Sequence, residues 1–270
     1  MVAAVAIEEK GCPLPQIPLF VEVNDLVHLR PNAAKIYISS MCGRFTYRLT
    51  WREIVRLYRL PLDTPARNTQ PRYNVCPTDP IDVVTERDDR RDCVSMRWGL
   101  VPFWWSKPLK ELKLATFNAR AETVTEKPFF REAFNRRRCL IPASGYYEWH
   151  DTPGGKQPYY FTRADGEPVT IAGLWDQWKD KAAGETIRSA TMVITEPNDF
   201  VREHHDRMPV ILEPDQFEPW LSGQAGVEVL KPAADGVLRQ WPVSKRVNSS
   251  KAPADDPTLM EEINLREVAN

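Results

Sequence analysis

The 270-residue sequence lacks an excess of charge of either sign: 36 Lys and Arg stand against 37 Asp and Glu, for a net charge of −1. That balance excludes the global positive field that announces nucleic acid, although it leaves room for a local basic groove. The five cysteines, at positions 12, 42, 76, 93 and 139, contain no Cys-x-x-Cys pair. An odd, scattered set of thiols argues against a disulfide framework or structural zinc and makes a reducing cytoplasm the default location. The histidines at 28, 150, 204 and 205 also lack metal-ligand spacing, so neither metal nor cofactor is expected. No apolar run approaches the roughly 20 residues that span a bilayer. Residues 1–40 lack the basic start and continuous apolar stretch of a signal peptide, and no internal repeat is visible.

What is present is the composition of a soluble globular protein, 42% hydrophobic and 27% charged. Proline is the outlier, 24 of 270 residues, about 9% against roughly 5% on average. Together with nine tryptophans it points to short strands joined by rigid loops. With no linker in sight, one domain is expected, and it is taken as monomeric.

Local patterns place the elements. Thr50-Trp51-Arg52-Glu53 is a capping box, and Trp51, Ile54, Val55 and Tyr58 follow at i, i+3, i+4 and i+7. They predict a helix of about 9 residues ended by Pro61. A second helix is expected from Pro128 to the basic end Arg136-Arg137-Arg138, and a third from Pro214 to Gly223. Strand candidates are 81–85, 93–98, 139–142, 158–162, 169–175, 190–195, 210–212 and 240–244. Ala164-Asp165-Gly166 reads as a hairpin turn between two of them. Many strands, few helices and no βαβ alternation predict an α+β fold built on a mainly antiparallel, curved or barrel-like sheet with a few flanking helices.

Residues 1–41 differ from the rest and read as an N-terminal extension, either a mis-assigned start or a removed leader. The polar stretch 251–270 reads as a loosely packed tail. The junction Met41-Cys42 carries the chemical interest. A chain beginning at Cys42 would hold a free α-amine and a thiol on one residue, and that pair condenses with an aldehyde to a thiazolidine. An internal cysteine cannot do this, because its nitrogen is a planar amide.

Five further clusters stand out: Tyr73–Pro77, Trp98–Trp105, Phe117–Thr123, Gly145–Trp149 and His204–Pro209. Each has an ordinary structural explanation. A lone cysteine is most often a small buried hydrophobe, and His205 could equally be a hydrogen-bonded core residue. A pair such as Asn118 and Arg120, on one strand face, is often an arginine–carboxylate site. Against these stand functional readings. Glu148 among aromatics, if partly buried, gains a raised pKa suited to proton transfer. Trp104 and Trp105, if exposed, stack on unpaired bases.

As an ordered set the clusters resemble the SOS response-associated peptidase (SRAP) family. The motifs are Met41-Cys42-Gly43-Arg44-Phe45, Asn74–Pro77, Trp98–Pro102, Asn118–Glu122, Gly145–Trp149 and His205–Pro209, and the resemblance spans about residues 42–250. It implies a sensor of abasic sites in single-stranded DNA that forms a covalent thiazolidine crosslink through Cys42. In that reading Glu148 shuttles protons, Asn118 and Arg120 position the opened sugar and phosphate, and His205 assists ring opening and reversal. Thr195 bonds near the sugar, and Arg44, Asn74, Pro77, Trp104, Trp105, Trp149 and Arg207 lie along the DNA path. The implied activities extend to an abasic-site lyase and autoproteolysis. The implied location is the cytoplasm, at the nucleoid if the source is bacterial.

Three classes of function follow. Covalent abasic-site capture requires Cys42 at the chain start. A thiol peptidase would use Cys42, His205 and Glu148. A non-covalent binder of single strands or modified bases would show salt-sensitive affinity independent of Cys42.

Overall fold

The computed structural model describes residues 42–181 and 183–268, so the extension expected over 1–41 lies outside the described residues. Five strands come first: β1 (Phe45–Tyr47), β2 (Arg72–Val75), β3 (Pro80–Arg87), β4 (Arg90–Trp98) and β5 (Asn118–Arg120). Next are β6 (Arg138–Ala143), β7 (Gly145–Thr152), β8 (Gly155–Arg163) and β9 (Val169–Lys179). The last are β10 (Thr186–Thr195), β11 (Met208–Pro209) and β12 (Leu238–Pro242). The helices are short: α1 (Trp51–Tyr58), α2 (Arg131–Arg136), α3 (Asp199–Arg202), α4 (Phe217–Ser222) and α5 (Leu265–Val268).

The architecture is α+β and dominated by sheet, as the strand-rich pattern predicts. One sheet runs β12-β8-β7-β1-β2. In the other, β10, β4, β3, β6 and β9 each pair with the next, and β9 pairs back to β10, so these five strands close a ring. Closure removes open edges. Nearly all pairings are antiparallel, but β10 runs parallel to both β4 and β5. Its strands carry branched and aromatic side chains such as Val83, Leu140, Ile171, Leu174 and Trp98, all fully buried.

Helix α1 follows its local code. Thr50 caps the Glu53 amide and Glu53 returns to the Thr50 amide, while Ile54 and Tyr58 are buried. The helix ends one residue early, at a left-handed Arg59, before Pro61. The second predicted helix is shorter than its pattern: residues 127–130 form a turn, and α2 begins at Arg131. Its basic end does not face solvent as one unit. Arg138 opens β6, is buried against Phe134 and Trp220 at 4.4 and 4.5 Å, and donates to the Phe134 carbonyl. Packing and strand pairing outweigh the dipole at that end.

Three expectations are corrected. The turn at 164–166 exists, yet β8 and β9 on either side belong to different sheets, so it is a sheet-to-sheet crossing and no hairpin. Ala164 donates instead to the Val237 carbonyl, and Arg163 is held by Asp165 and Glu213. Residues 251–268 are not loosely packed throughout. Leu259 is fully buried with Tyr147, Tyr160, Val243 and Val247, and the Ile263 amide donates to the Pro242 carbonyl. The polar composition conceals one apolar anchor. The expected strand at 210–212 is also displaced: β11 is Met208–Pro209, with only an isolated bridge from Ile211 to Ile171.

Gly145 lets the first sheet close over the site. A β-carbon there would lie 2.4 Å from both the Phe161 carbonyl oxygen and the Tyr160 ring, so only glycine permits that approach. Three residues on, the same strand carries Glu148.

Candidate active site

Cys42 lies three residues ahead of Phe45, the start of β1, and its carbonyl accepts a 2.9 Å hydrogen bond from Asn118 Nδ2 on β5. This one bond joins the start of the first sheet to a strand of the second. Tyr146 and Glu148 alternate on β7 and therefore share a face. The face is buried: Glu148 is 0% and Cys42 2% exposed. His205 arrives from the loop after α3, its Nε2 3.8 Å from Glu148 Oε2.

Burial governs the electrostatics. The Glu148 carboxyl is pushed up to about 7 by loss of solvent, an effect that the nearby His205 opposes. The Cys42 thiol is driven well above its ordinary value, first by burial and then by the adjacent Glu148 carboxylate. At neutral pH the pair therefore holds a protonated thiol beside a carboxyl poised between its two forms. Such a carboxyl takes and returns protons at little cost.

Polar atoms without a hydrogen-bond partner concentrate here. Both Glu148 oxygens, Asn118 Oδ1 and the Tyr146 hydroxyl are buried and unsatisfied. A native interior leaves few such groups, and several around one thiol mark a place built for an incoming polar molecule. Tyr146 is the residue that sequence reading passes over. Its signal was its position two before Glu148 on an alternating strand.

The Arg207 amide lies 3.0 Å from His205 Nδ1; when it donates there, the neutral ring carries its proton on Nε2, toward Glu148. Two acceptors also lie near Nδ1, the Arg207 carbonyl at 3.1 Å and Asp206 Oδ1 at 3.5 Å. A protonated ring would find a partner on both sides. His204, in the turn after α3, stacks on Tyr159 with ring centroids 4.2 Å apart.

The remaining expected site residues fall into separate groups. Arg120 is exposed at the end of β5, two positions after buried Asn118. Thr195, buried, pairs through β10 with Met208. Arg207 forms an ion pair with Glu122. Arg44 and Asn74 serve the chain itself: Arg44 donates to Asn74 Oδ1 at 2.7 Å and to the Val247 carbonyl at 2.6 Å. Asn74 in turn donates to the carbonyls of Ser249 and Ala252. Trp149 donates to Asn248 Oδ1. Pro77 starts a tight turn whose next residue, Thr78, sits at φ +80°. Trp104 is 42% exposed and meets Phe129 edge-on at 5.2 Å, with Trp105 tilted beside both. Among the described residues there is no cluster of metal ligands, and no helix is long and apolar enough to cross a membrane.

A sheet-rich α+β protein with a buried cysteine–carboxylate–histidine site just ahead of its first strand defines a narrow class. The chain belongs to the SOS response associated peptidase (SRAP) family, whose sequence profile matches residues 41–250. It is 34% identical over 217 residues to the abasic site processing protein YoaM of Bacillus subtilis, covering 78% of this chain and 94% of that one. Identity to the abasic site processing protein HMCES of Xenopus tropicalis is 31% over 215 residues, 67% of this chain and 64% of that one. A crystal structure of a Bacteroides thetaiotaomicron protein superposes with a TM-score of 0.72 at 25% identity, covering 83% of this chain and all of the other. A second, from Bordetella bronchiseptica, gives 0.64 at 29%, with 75% of this chain and all of the other covered.

Proposed function

We propose that this protein processes abasic sites in single-stranded DNA, capturing the lesion covalently through Cys42 once the residues up to Met41 are gone. The observation that carries the reading is the meeting of the Cys42 thiol with a buried, unsatisfied Glu148 carboxyl of pKa about 7. The abasic-site processing named for its relatives supplies the substrate class.

The chemistry balances without a cofactor. The freed Cys42 amine adds to the open-chain aldehyde carbon of the lesion, giving a carbinolamine. Loss of its hydroxyl as water, with a proton from Glu148, leaves an imine once the nitrogen's own proton returns to the carboxylate. The thiol sulfur then adds to the imine carbon while its proton passes by way of Glu148 to the nitrogen, closing a thiazolidine. One water is released overall. The raised carboxyl can act as acid in one step and base in the next. Asn118 fixes the Cys42 carbonyl and so orients the amine, and the Nε2–H of His205 faces the carboxylate it would stabilise.

Around this centre Arg120, Trp104, Trp105 and Arg207 supply charge and aromatic surface for a single strand. Thr195 lies one ladder step from the His205 loop. Peptide hydrolysis by a Cys42 thiolate fits less well. An activated thiolate needs positive charge beside it, whereas Cys42 adjoins a carboxylate and its thiol is held protonated.

The test is intact mass after mixing with an abasic single strand. A chain starting at Cys42 is expected to gain the oligonucleotide mass less one water and to run as a band stable in SDS, and Cys42→Ser to lose it. The full chain with residues 1–41 attached is expected to form no such adduct. Failure of a chain verified to begin at Cys42 to form the adduct would overturn the covalent reading.

A further inference from the structure

Among the described residues, Phe103 and Trp104 are the two exposed aromatic side chains, at 54% and 42%. Phe103 and Trp104 are consecutive, so they form one exposed apolar patch rather than two scattered residues. Phe103 is also unusually well held. Its amide donates at 3.0 Å to Oδ2 of Asp176, a β9 carboxylate that is only 2% exposed. Arg137 pairs with the same carboxylate at 3.2 Å and lies over the Phe103 ring, 5.6 Å from its centroid. The loop is pinned on both sides: the Val101 amide donates to Ser189 Oγ at 2.8 Å, and the Trp178 indole donates to the Trp105 carbonyl.

Burying Asp176 costs desolvation, which pushes its carboxyl upward, and the carboxylate is held by the Phe103 and Gln177 amides and by Arg137. The arrangement makes sense if the ring it fixes must be presented rather than packed. Trp104 has independent support from Phe129. The loop thus offers two consecutive aromatic platforms, each backed from behind. The loop beyond them is basic, with exposed Lys107, Lys110 and Lys113 against one acid, Glu111.

Building on the abasic-DNA reading, we propose that Phe103 is a base-stacking platform for an unpaired nucleobase next to the lesion, presented by the Asp176–Arg137 pair. Phe103 touches the strand; Asp176 and Arg137 are positioning residues. The occupant is a nucleobase in a single strand, because a π-face matches the ring and the lysines match the phosphates.

Equilibrium binding of the full chain to a single strand carrying a tetrahydrofuran abasic analogue tests this without any adduct, since the analogue has no aldehyde. Phe103→Ala is expected to weaken binding roughly 5- to 150-fold, the span of one stacked base. Phe103→Tyr should bind within about twofold of the parent, and Asp176→Asn should fall between. The decisive comparison replaces the bases on both sides of the analogue by further tetrahydrofuran units, on which the Phe103→Ala penalty should vanish. A penalty that persists there, or Phe103→Ala binding as tightly as the parent, overturns the inference. If a chain starting at Cys42 forms the covalent adduct with an abasic strand while Phe103→Ala binds the analogue normally, only this inference fails; if that chain forms no adduct and the parent binds no such strand, the reading beneath it fails too.

Discussion

His205 Nε2 stands 3.8 Å from Glu148 Oε2, while the opposite ring nitrogen lies 3.0 Å from the Arg207 amide. The imidazole is close enough to influence the carboxyl without forming a full ion pair. Burial lifts the Glu148 carboxyl to about 7, and the nearby His205 opposes that rise without cancelling it.

That placement carries a stability consequence. A carboxyl raised from 4.5 to about 7 binds its proton more tightly in the folded than in the unfolded chain. Stability is then highest below pH 4.5 with respect to this group and falls as pH rises from 4.5 to 7, after which the loss is complete. The shift corresponds to about 3 kcal/mol. Glu148→Gln, which keeps shape and removes the charge, is expected to be more stable than the parent at pH 8 by up to about 3 kcal/mol, with the difference shrinking toward pH 5. Urea unfolding at the two pH values measures it, and equal gaps at both would contradict the assignment. Adduct formation should drop at least 100-fold in the same variant, since a general acid–base is lost.

Glu122 neutralises Arg207 on the loop that carries His205. Glu122→Gln should free one guanidinium for phosphate, tightening single-strand binding at low salt. The slope of log K against log salt should steepen by about 0.7, the value for one added contact. Titrations at several salt concentrations check it; an unchanged slope means that Arg207 does not reach the strand.

Asn74 ties β2 to the segment beyond β12 through the carbonyls of Ser249 and Ala252, and it receives Arg44. Asn74→Ala removes the donor to the Ser249 and Ala252 carbonyls and one acceptor of Arg44, and is expected to cost about 1 kcal/mol. Limited proteolysis should then cut earlier after Ser249 than in the parent. Intact protection of that segment would show that Leu259 alone holds it.

Thr78 sits at φ +80° just after Pro77, at the position of a turn that favours glycine. Its side chain is exposed, so removing it forfeits little packing. Thr78→Gly should stabilise the protein by about 1 kcal/mol, strain relief exceeding the entropy of an added glycine. A thermal melt that moves downward would refute this.

Much of the molecule was legible in local sequence. The capping box of α1, most of the eight strand candidates, and the motif residues Cys42, Asn118, Glu148 and His205 are set by short-range pattern. What failed failed for non-local reasons. The 164–166 turn has hairpin chemistry, but the partner of each flanking strand lies elsewhere in the chain. The run Arg136–Arg138 looks like a solvated helix end until Phe134 and Trp220 enclose Arg138. Leu259 is a single apolar residue in a polar stretch, and no periodicity reveals it.

By itself, then, the sequence determined which chemical groups exist and that Cys42 needs a free amine to use its thiol on an aldehyde. Only the tertiary structure decided that Glu148 is dry. The carboxyl loses its water because β7 of one sheet meets β5 and the His205 loop of the other across Cys42, and the loss of solvent is what moves its pKa to about 7.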